Sequence, residues 1–415
     1  MDLALCRPAM AGERKTCISR AGEQPVNIGF FSDSYRPYTS GVVRSIDLFT
    51  REFNARGHEV YIFGPDYPLI HYPREEKVFR FASIPAPTMP EFSIPIPFSV
   101  QLGTTIRRLN LQIIHVHSPF LLGRLGARAA RQSGLPLIFT FHTLYDQYVH
   151  YLPLAQQTTK SLVLTMARDF CNRCDLVIAP SSVIEQYLRG IGVKTEVVVI
   201  PTGIDLKEFA DTDPRWLQQN YQVSPAEKVL LFVGRLGKEK NIMFLLKSFY
   251  RVQRLIPDLR LVIVGEGPHK EELRRFCFRL GIAGKVIFTG VLPRDQIVHC
   301  YAGADLFVFP SVTETQGLVI GEAKAAGLPV VAIRAFGAAE MVRDGEDGLL
   351  SEHSQEQFTG NIIRLLKDRS LYEEMSRNAL RNAAALSSAS SAEKMLSCYE
   401  RLLELRRPSP TPSRL

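Results

Sequence analysis

The sequence predicts two doubly wound α/β halves. From residue 26 onward, short apolar runs alternate with helical stretches, the pattern of parallel-sheet units. This series stops at a polar, turn-rich stretch, 201–214 (PTGIDLKEFADTDP), and then restarts. A length of 415 residues provides for two or three domains, and 46% hydrophobic against 22% charged residues gives each a core to bury.

The first 25 residues carry Arg7, Glu13, Arg14, Lys15, Arg20 and Glu23 with no apolar core, so they read as a disordered extension and not a secretory signal. Strands are predicted at 26–31, 60–63, 113–117, 137–140, 176–179 and 197–200, with helical stretches between them. Beyond the polar stretch come strands at 229–233, 259–264, 286–289, 306–309 and 329–333, then a long helical stretch over 355–405. The last ten residues, RRPSPTPSRL, read as a disordered tail. The predicted domains are therefore 26–205 and 206–385, followed by a C-terminal helix, 386–405, and the tail, 406–415.

No run approaches the roughly 20 apolar residues that a membrane helix needs, and a cytoplasmic location is the default expectation. Seven irregularly placed cysteines argue against a disulfide framework, and Cys171 and Cys174 are expected to be helical core thiols. The net charge of +8 is modest, but no acid occurs between Glu91 and Asp146, an interval that holds Arg107, Arg108, Arg124, Arg128 and Arg131. On charge alone, such a surface suits nucleic acid, anionic lipid or a phosphorylated metabolite, or is an ordinary solvated face.

Ligands in open parallel sheets bind beyond the carboxyl ends of the strands, so the residues after each strand are the candidates. After 229–233 come Gly234, Arg235, Leu236, Gly237, Lys238, Glu239, Lys240 and Asn241, then an amphipathic stretch. Three cations at a helix start oppose the macrodipole unless an anion sits there, and a diphosphate suits the position; the alternative is a basic loop compensated by Glu239. After 306–309 come Glu314 and, about one turn into the next helix, Glu322, flanking a Gly-containing helix start at Gly317, Leu318 and Val319. Each carboxylate can accept bonds from vicinal hydroxyls, and free backbone N–H groups suit a phosphate. In the first half, Ser40, Gly41 and Val42 follow the first strand and His142 follows 137–140. His115 and His117 are expected to point to opposite faces of their strand and so to share no metal, and Asp211 and Asp213 lie in the linker, away from any strand end. No metal site is predicted. Neither a Gly-x-Gly-x-x-Gly loop nor a Walker loop follows a strand, which demotes dinucleotide oxidoreductases and P-loop hydrolases.

With these residues in place, the chain resembles glycosyltransferase family 4 from residue 26 to about 405. The resemblance rests on YTSGV at 38–42, PTGID at 201–205, VGRLGKEKN at 233–241, VGEGP at 264–268, FTG at 288–290, YAGADLFVFPS at 301–311 and TETQGLVIGEA at 313–323, in that order. It implies the GT-B fold: two Rossmann-like domains, the first for the acceptor and the second for the nucleotide sugar. Arg235 and Lys240 would hold the donor diphosphate, Glu322 the ribose hydroxyls and Glu314 the transferred sugar. Gly317, Leu318 and Val319 would give backbone N–H groups, Gly41 would approach the diphosphate, and His142 would sit beside the reacting carbon. The first loop departs from the family in reading Thr-Ser-Gly where many members have paired glycines. The family implies transfer with retention of configuration and no cofactor or metal, with Arg235 and Lys240 in the place of a cation.

On the acceptor side, HVHSPF at 115–120 and FHTLYDQYVHYLP at 141–153 are similar to the branch that glucosylates diacylglycerol and related membrane lipids. That implies a UDP-sugar donor, a lipid acceptor contacted from His117, Tyr145, Tyr148 and His150, and peripheral attachment to an anionic membrane, the inner face of the cell membrane. Arg107 and Arg108, next to the apolar residues Ile94, Ile96, Phe98, Val100 and Leu102, would dock the chain there, and nucleic acid is not an expected partner. The alternatives are the same donor chemistry on a soluble sugar, phosphoinositol or polyprenyl-linked acceptor, a non-catalytic nucleotide-sugar sensor, and a sugar-nucleotide epimerase.

Overall fold

The computed structural model describes residues 24–86, 89–147 and 156–406; the predicted extension and tail, apart from residues 24–25 and 406, lie outside them, as do Tyr148 and His150. Among the described residues, nine strands lie in the first lobe: β1 (Asn27–Phe31), β2 (Glu59–Pro65), β3 (Val78–Phe81), β4 (Ser83–Ala86), β5 (Met89–Pro95), β6 (Ile113–Val116), β7 (Leu137–Thr140), β8 (Leu176–Ala179) and β9 (Val197–Val199). Seven of them form one parallel sheet in the order β3-β2-β1-β6-β7-β8-β9, and β4 pairs with β5 as an antiparallel hairpin. The second lobe holds β10 (Lys228–Val233), β11 (Leu259–Val264), β12 (Val286–Gly290), β13 (Leu306–Phe309), β14 (Val330–Ile333) and β15 (Gly348–Ser351), parallel in the order β12-β11-β10-β13-β14-β15. Strand order reverses beside β1 in one sheet and beside β10 in the other, so each lobe has a switch point where loops part and leave a crevice.

Helices cover both faces of the sheets, which is why the central strands are rich in Val, Ile, Leu and Phe on both faces. In the first lobe, Ile28 and Phe30 of β1 enter one core and Phe31 the opposite one, as alternation along a strand requires. The predicted helical stretch at 355–405 is three helices: Gln355–Lys367, Arg369–Ala384 and Ser388–Leu405. Asp368 and Ser387 make the breaks, each accepting a backbone N–H three residues on, Leu371 at 3.0 Å and Ser390 at 3.3 Å. The last helix returns to the first lobe, where Ala392, Met395, Leu396, Tyr399 and Leu402 complete the core of Ile28, Phe30 and Phe53. The chain thus crosses between lobes twice, and the crossings touch: Ile204 N–H donates to Leu386 O at 2.7 Å and Ser388 N–H to Ile204 O at 3.0 Å.

Three expectations need correction. The stretch between β2 and β6, read as helical, holds β3 and the β4–β5 hairpin, with helix only at Leu102–Arg108. Pro85, Pro90 and Pro95 there lack the N–H that a helix interior uses. His115 and His117 do not point to opposite faces: residues two apart share a face, and their rings stack with centroids 4.5 Å apart. Cys171 ends a helix but Cys174 lies in the turn beyond it, buried, with its thiol on Phe170 O at 3.3 Å.

Candidate active site

The loops after β10 and β13 are neighbours at the second lobe's switch point, and there the predicted cations meet the predicted carboxylates. Lys240 donates to Glu314 Oε1, which also accepts from Ser311 Oγ at 2.7 Å. Arg235 pairs with the buried Glu239 at 3.3 Å. Two of the three cations at this helix start are thus balanced by carboxylates, while Lys238 is exposed. Arg235, Lys240 and Glu314 keep side-chain exposures of 25%, 15% and 15%, so all three remain open to the cleft. Two glycines hold the β13 loop. Gly317 takes a φ of +83° to start the helix Leu318–Ala325. Gly337 lies so close beneath the loop that a Cβ would sit 2.2 Å from Thr315 O.

Glu322 follows in that helix and is buried. Its Oε2 accepts from Tyr301 OH at 2.9 Å, and its Oε1 faces Arg294 Nη1 at 2.8 Å and Arg44 Nε at 3.8 Å. A carboxylate offers about four lone-pair positions, so ribose hydroxyls can bind here only by sharing it with Arg294. Arg44 and Arg294 also converge on Glu208 Oε2, at 2.5 and 2.8 Å, and Arg51 reaches Glu208 Oε1 at 3.2 Å. Burial alone would raise the Glu208 carboxyl, but Arg44 and then Arg294 outweigh it and hold it down at about 2. Burial alone would likewise lower Arg294, yet Glu322 and Glu208 raise it on balance. Sequence reasoning missed this cluster. Its members, at 44, 208, 294 and 322, come from the first lobe, the linker and two parts of the second lobe, so no local spacing marks them.

Across the cleft, His142 follows β7 and its backbone oxygen accepts from Thr315 Oγ1 at 2.8 Å. Ser181 Oγ donates to Thr315 O at 2.7 Å, and the Gln316 amide makes two bonds with the Thr202 backbone, at 2.9 and 2.7 Å. The loop that carries Glu314 is therefore clamped between first lobe and linker. Glu340 adds a second clamp by accepting Ser182 N–H at 2.9 Å and Val183 N–H at 2.5 Å, capping the helix Ser182–Gly190. Gly41 opens the helix Gly41–Ala55 and faces Leu318 Cδ1, 4.0 Å from where its Cβ would stand. Val319 lies one residue further into the same helix start.

The structure thus gathers Gly41, His142, Arg235, Lys240, Glu314, Gly317, Leu318, Val319 and Glu322 along one cleft. The acceptor-side residues fare differently. His117 is 1% exposed and reaches the cleft only through His142, with Nδ1 2.9 Å from His142 Nε2. The Tyr145 ring packs edge-on against Phe120 and Phe141, with centroids 5.0 and 5.6 Å apart. Arg107 and Arg108 end the helix Leu102–Arg108, exposed, in a segment where Phe98 and Val100 are 73% and 82% exposed and Ile96 is exposed too. Ile94 is half-buried and Leu102 buried, so they belong to the packing beneath. Among the described residues no helix is long and apolar enough to cross a membrane.

Residues 39–208 match the family described as Glycosyltransferase Family 4, and residues 216–382 match Glycosyl transferases group 1. The chain is 34% identical over 314 residues to alpha-monoglucosyldiacylglycerol synthase of Streptococcus pneumoniae, covering 74% of this chain and 71% of that one. It is 28% identical to the protein of the same name from Acholeplasma laidlawii, covering 85% and 92%. A GDP-mannose-dependent alpha-mannosyltransferase of Corynebacterium glutamicum is 30% identical, with 79% and 77% covered. Among solved structures, sucrose-phosphate synthase from Thermosynechococcus elongatus superposes with a TM-score of 0.76 at 22% identity, over 92% of this chain and 100% of that one. That likeness shows the GT-B fold.

Proposed function

Because the chain belongs to glycosyltransferase family 4, we propose that it transfers glucose from UDP-glucose, with retention of configuration and without a metal, to a diacylglycerol-type membrane lipid. One observation carries the reading: the cation pair Arg235 and Lys240, the carboxylates Glu314 and Glu322, and His142 line a single cleft closed by the Thr315–His142 bond. The order suits a nucleotide sugar, with ribose at Glu322, diphosphate at Arg235 and Lys240, and hexose at Glu314 and His142.

In this reaction the bond from the anomeric carbon to the diphosphate oxygen breaks and a bond to the acceptor oxygen forms on the same face. The acceptor's hydroxyl proton passes to a departing phosphate oxygen. Arg235 and Lys240 stabilise the charge that grows on the leaving diphosphate, and Lys240 exchanges its bond to Glu314 for one to phosphate. Glu314 is then released to accept from sugar hydroxyls. The lipid acceptor is supported by the names of two relatives and by the exposed apolar residues Ile96, Phe98 and Val100 beside Arg107 and Arg108, which suit peripheral docking on an anionic bilayer.

The test is UDP release from UDP-glucose by the purified protein, with and without diacylglycerol in mixed micelles, in the presence of chelator. Lipid-stimulated release that survives chelation, with an α-glucosyl lipid as product, is the expected result. Turnover of GDP-mannose in preference to UDP-glucose, or loss of activity on chelation that divalent cation restores, overturns the donor or the metal-independent part respectively.

A further inference from the structure

Three imidazoles stand in a row beneath the cleft. His115 and His117 stack with centroids 4.5 Å apart and planes 17° from parallel, and His117 and His142 follow at 5.2 Å and 21°. The far end of the row is fixed by the last helix: the buried Tyr399 hydroxyl lies 2.5 Å from His115 Nδ1, while His115 Nε2 lies 2.7 Å from Thr140 Oγ1. At the near end, His142 is part-exposed. Burial holds His115 and His142 at about 3 and, with the neighbouring rings, holds His117 well below the ordinary histidine range. Each ring is therefore neutral at pH 7 and carries one proton.

Hydrogen-bond accounting places those protons. Tyr399 OH donates to His115 Nδ1, because the reverse arrangement leaves a buried hydroxyl hydrogen without an acceptor, so His115 keeps its proton on Nε2 for Thr140. In the next ring, His117 Nε2 is buried with no partner among the described residues, and Nδ1 is 2.9 Å from His142 Nε2. A proton on His117 Nε2 would be an orphaned buried N–H, whereas a bare lone pair there is the less costly defect. His117 then carries its proton on Nδ1 and donates to His142 Nε2, which leaves the His142 proton on Nδ1. We propose that His117 is a positioning residue that holds His142 as its Nδ1–H tautomer, so that His142 offers the bound sugar a hydrogen-bond donor and not a base. The proposal rests on the reading of His142 as a contact of the transferred sugar. It also fits the departure of the acceptor's proton through a phosphate oxygen: the lone pair of His142, on Nε2, is already taken up by His117.

The experiment uses the full chain labelled with 15N-histidine, with long-range proton–nitrogen correlation at pH 7 and assignment from His117→Phe, His117→Asn and His142→Gln. In the wild type, the expected pattern for His142 is a protonated Nδ1 and a bare Nε2. His117→Phe keeps a stacked ring but no donor, so the pattern is expected to shift to Nε2–H or a mixture. Its kcat should fall roughly ten- to hundredfold, as for the loss of one hydrogen bond in the transition state, with donor KM changed less than about threefold. Asparagine at 117 restores a donor near the Nδ1 position and should recover most of both. A wild-type His142 protonated on Nε2 overturns the proposal even if no variant folds, and so does an unchanged tautomer and kcat in His117→Phe. If the tautomers are as expected but His142→Gln turns over normally, the tautomer assignment stands and the placement of His142 at the sugar falls.

Discussion

Replacing Glu208 by glutamine keeps the side chain's shape and removes the charge shared by Arg44 of the first lobe and Arg294 of the second. A carboxyl held at about 2 against an ordinary 4.5 corresponds to roughly 3 kcal/mol of folded-state stability at neutral pH. The side chain is 17% exposed, and solvent screening reduces this to about 2 kcal/mol. Scanning calorimetry should then show Glu208→Gln melting roughly 2–6 °C below wild type at pH 7. The pH dependence has a fixed sign. Because the folded value lies below the unfolded one, the stabilisation is complete above about pH 4.5 and fades as pH falls toward 2, with roughly 60% left at pH 3.5. The free-energy gap between wild type and variant must therefore shrink on acidification. The variant should also bind UDP more weakly, since Arg294 loses Glu208 and rests on Glu322 alone. Equal melting temperatures at pH 7, or a gap that widens at pH 3.5, refutes the reasoning.

Arg235→Ala and Lys240→Met should each lower kcat/KM by about 10²- to 10³-fold, as expected for loss of one preorganised charge on a leaving group, with melting temperatures near wild type. Steady-state kinetics beside a melting curve checks both halves. Gly337→Ala places a Cβ 2.2 Å from Thr315 O and 2.6 Å from Gln316 N, so the Glu314 loop must shift. Activity is expected to fall by far more than the stability change accounts for, which parallel kinetics and denaturation will separate. Charge reversal of Arg107 and Arg108 should abolish flotation with anionic liposomes, since each arginine is worth about 1 kcal/mol at such a surface. Phe98→Ser should weaken flotation on neutral and anionic vesicles alike, and flotation that survives both changes removes the docking surface.

What was legible in the sequence follows from how local each feature is. Strands β1, β10 and β13 end in apolar runs, so their carboxyl ends are legible, and the switch-point rule then points to Arg235, Lys240, Glu314 and Glu322. The hairpin β4–β5 was missed because both strands carry prolines and neither shows an unbroken apolar run. β15, Gly348–Ser351, is four residues at a sheet edge and has too little periodicity to stand out. The charge cluster at Glu208 was illegible for another reason: Arg44, Glu208 and Arg294 look like ordinary surface charges in their own segments, and only the contact of two lobes with their linker joins them to Glu322. That His117 is buried was not legible either, since sequence shows a histidine at a strand end without showing that Phe30 and His115 pack over it.

The return of the last helix to the first lobe has a consequence for how the polypeptide matures during synthesis. Domains usually fold as they leave the ribosome, amino-terminal first. Here the core of Ile28, Phe30 and Phe53 stays unfinished until Ala392, Met395 and Tyr399 have been made. A nascent chain several hundred residues long therefore carries one half-covered apolar face while its second lobe is completed. A ribosome-bound chain ending near residue 385 should bind hydrophobic dyes and be cut readily within residues 26–200, and release of the full chain should protect both at once. The row from Tyr399 to His142 is completed by that same final event, in one step with the burial that finishes the fold.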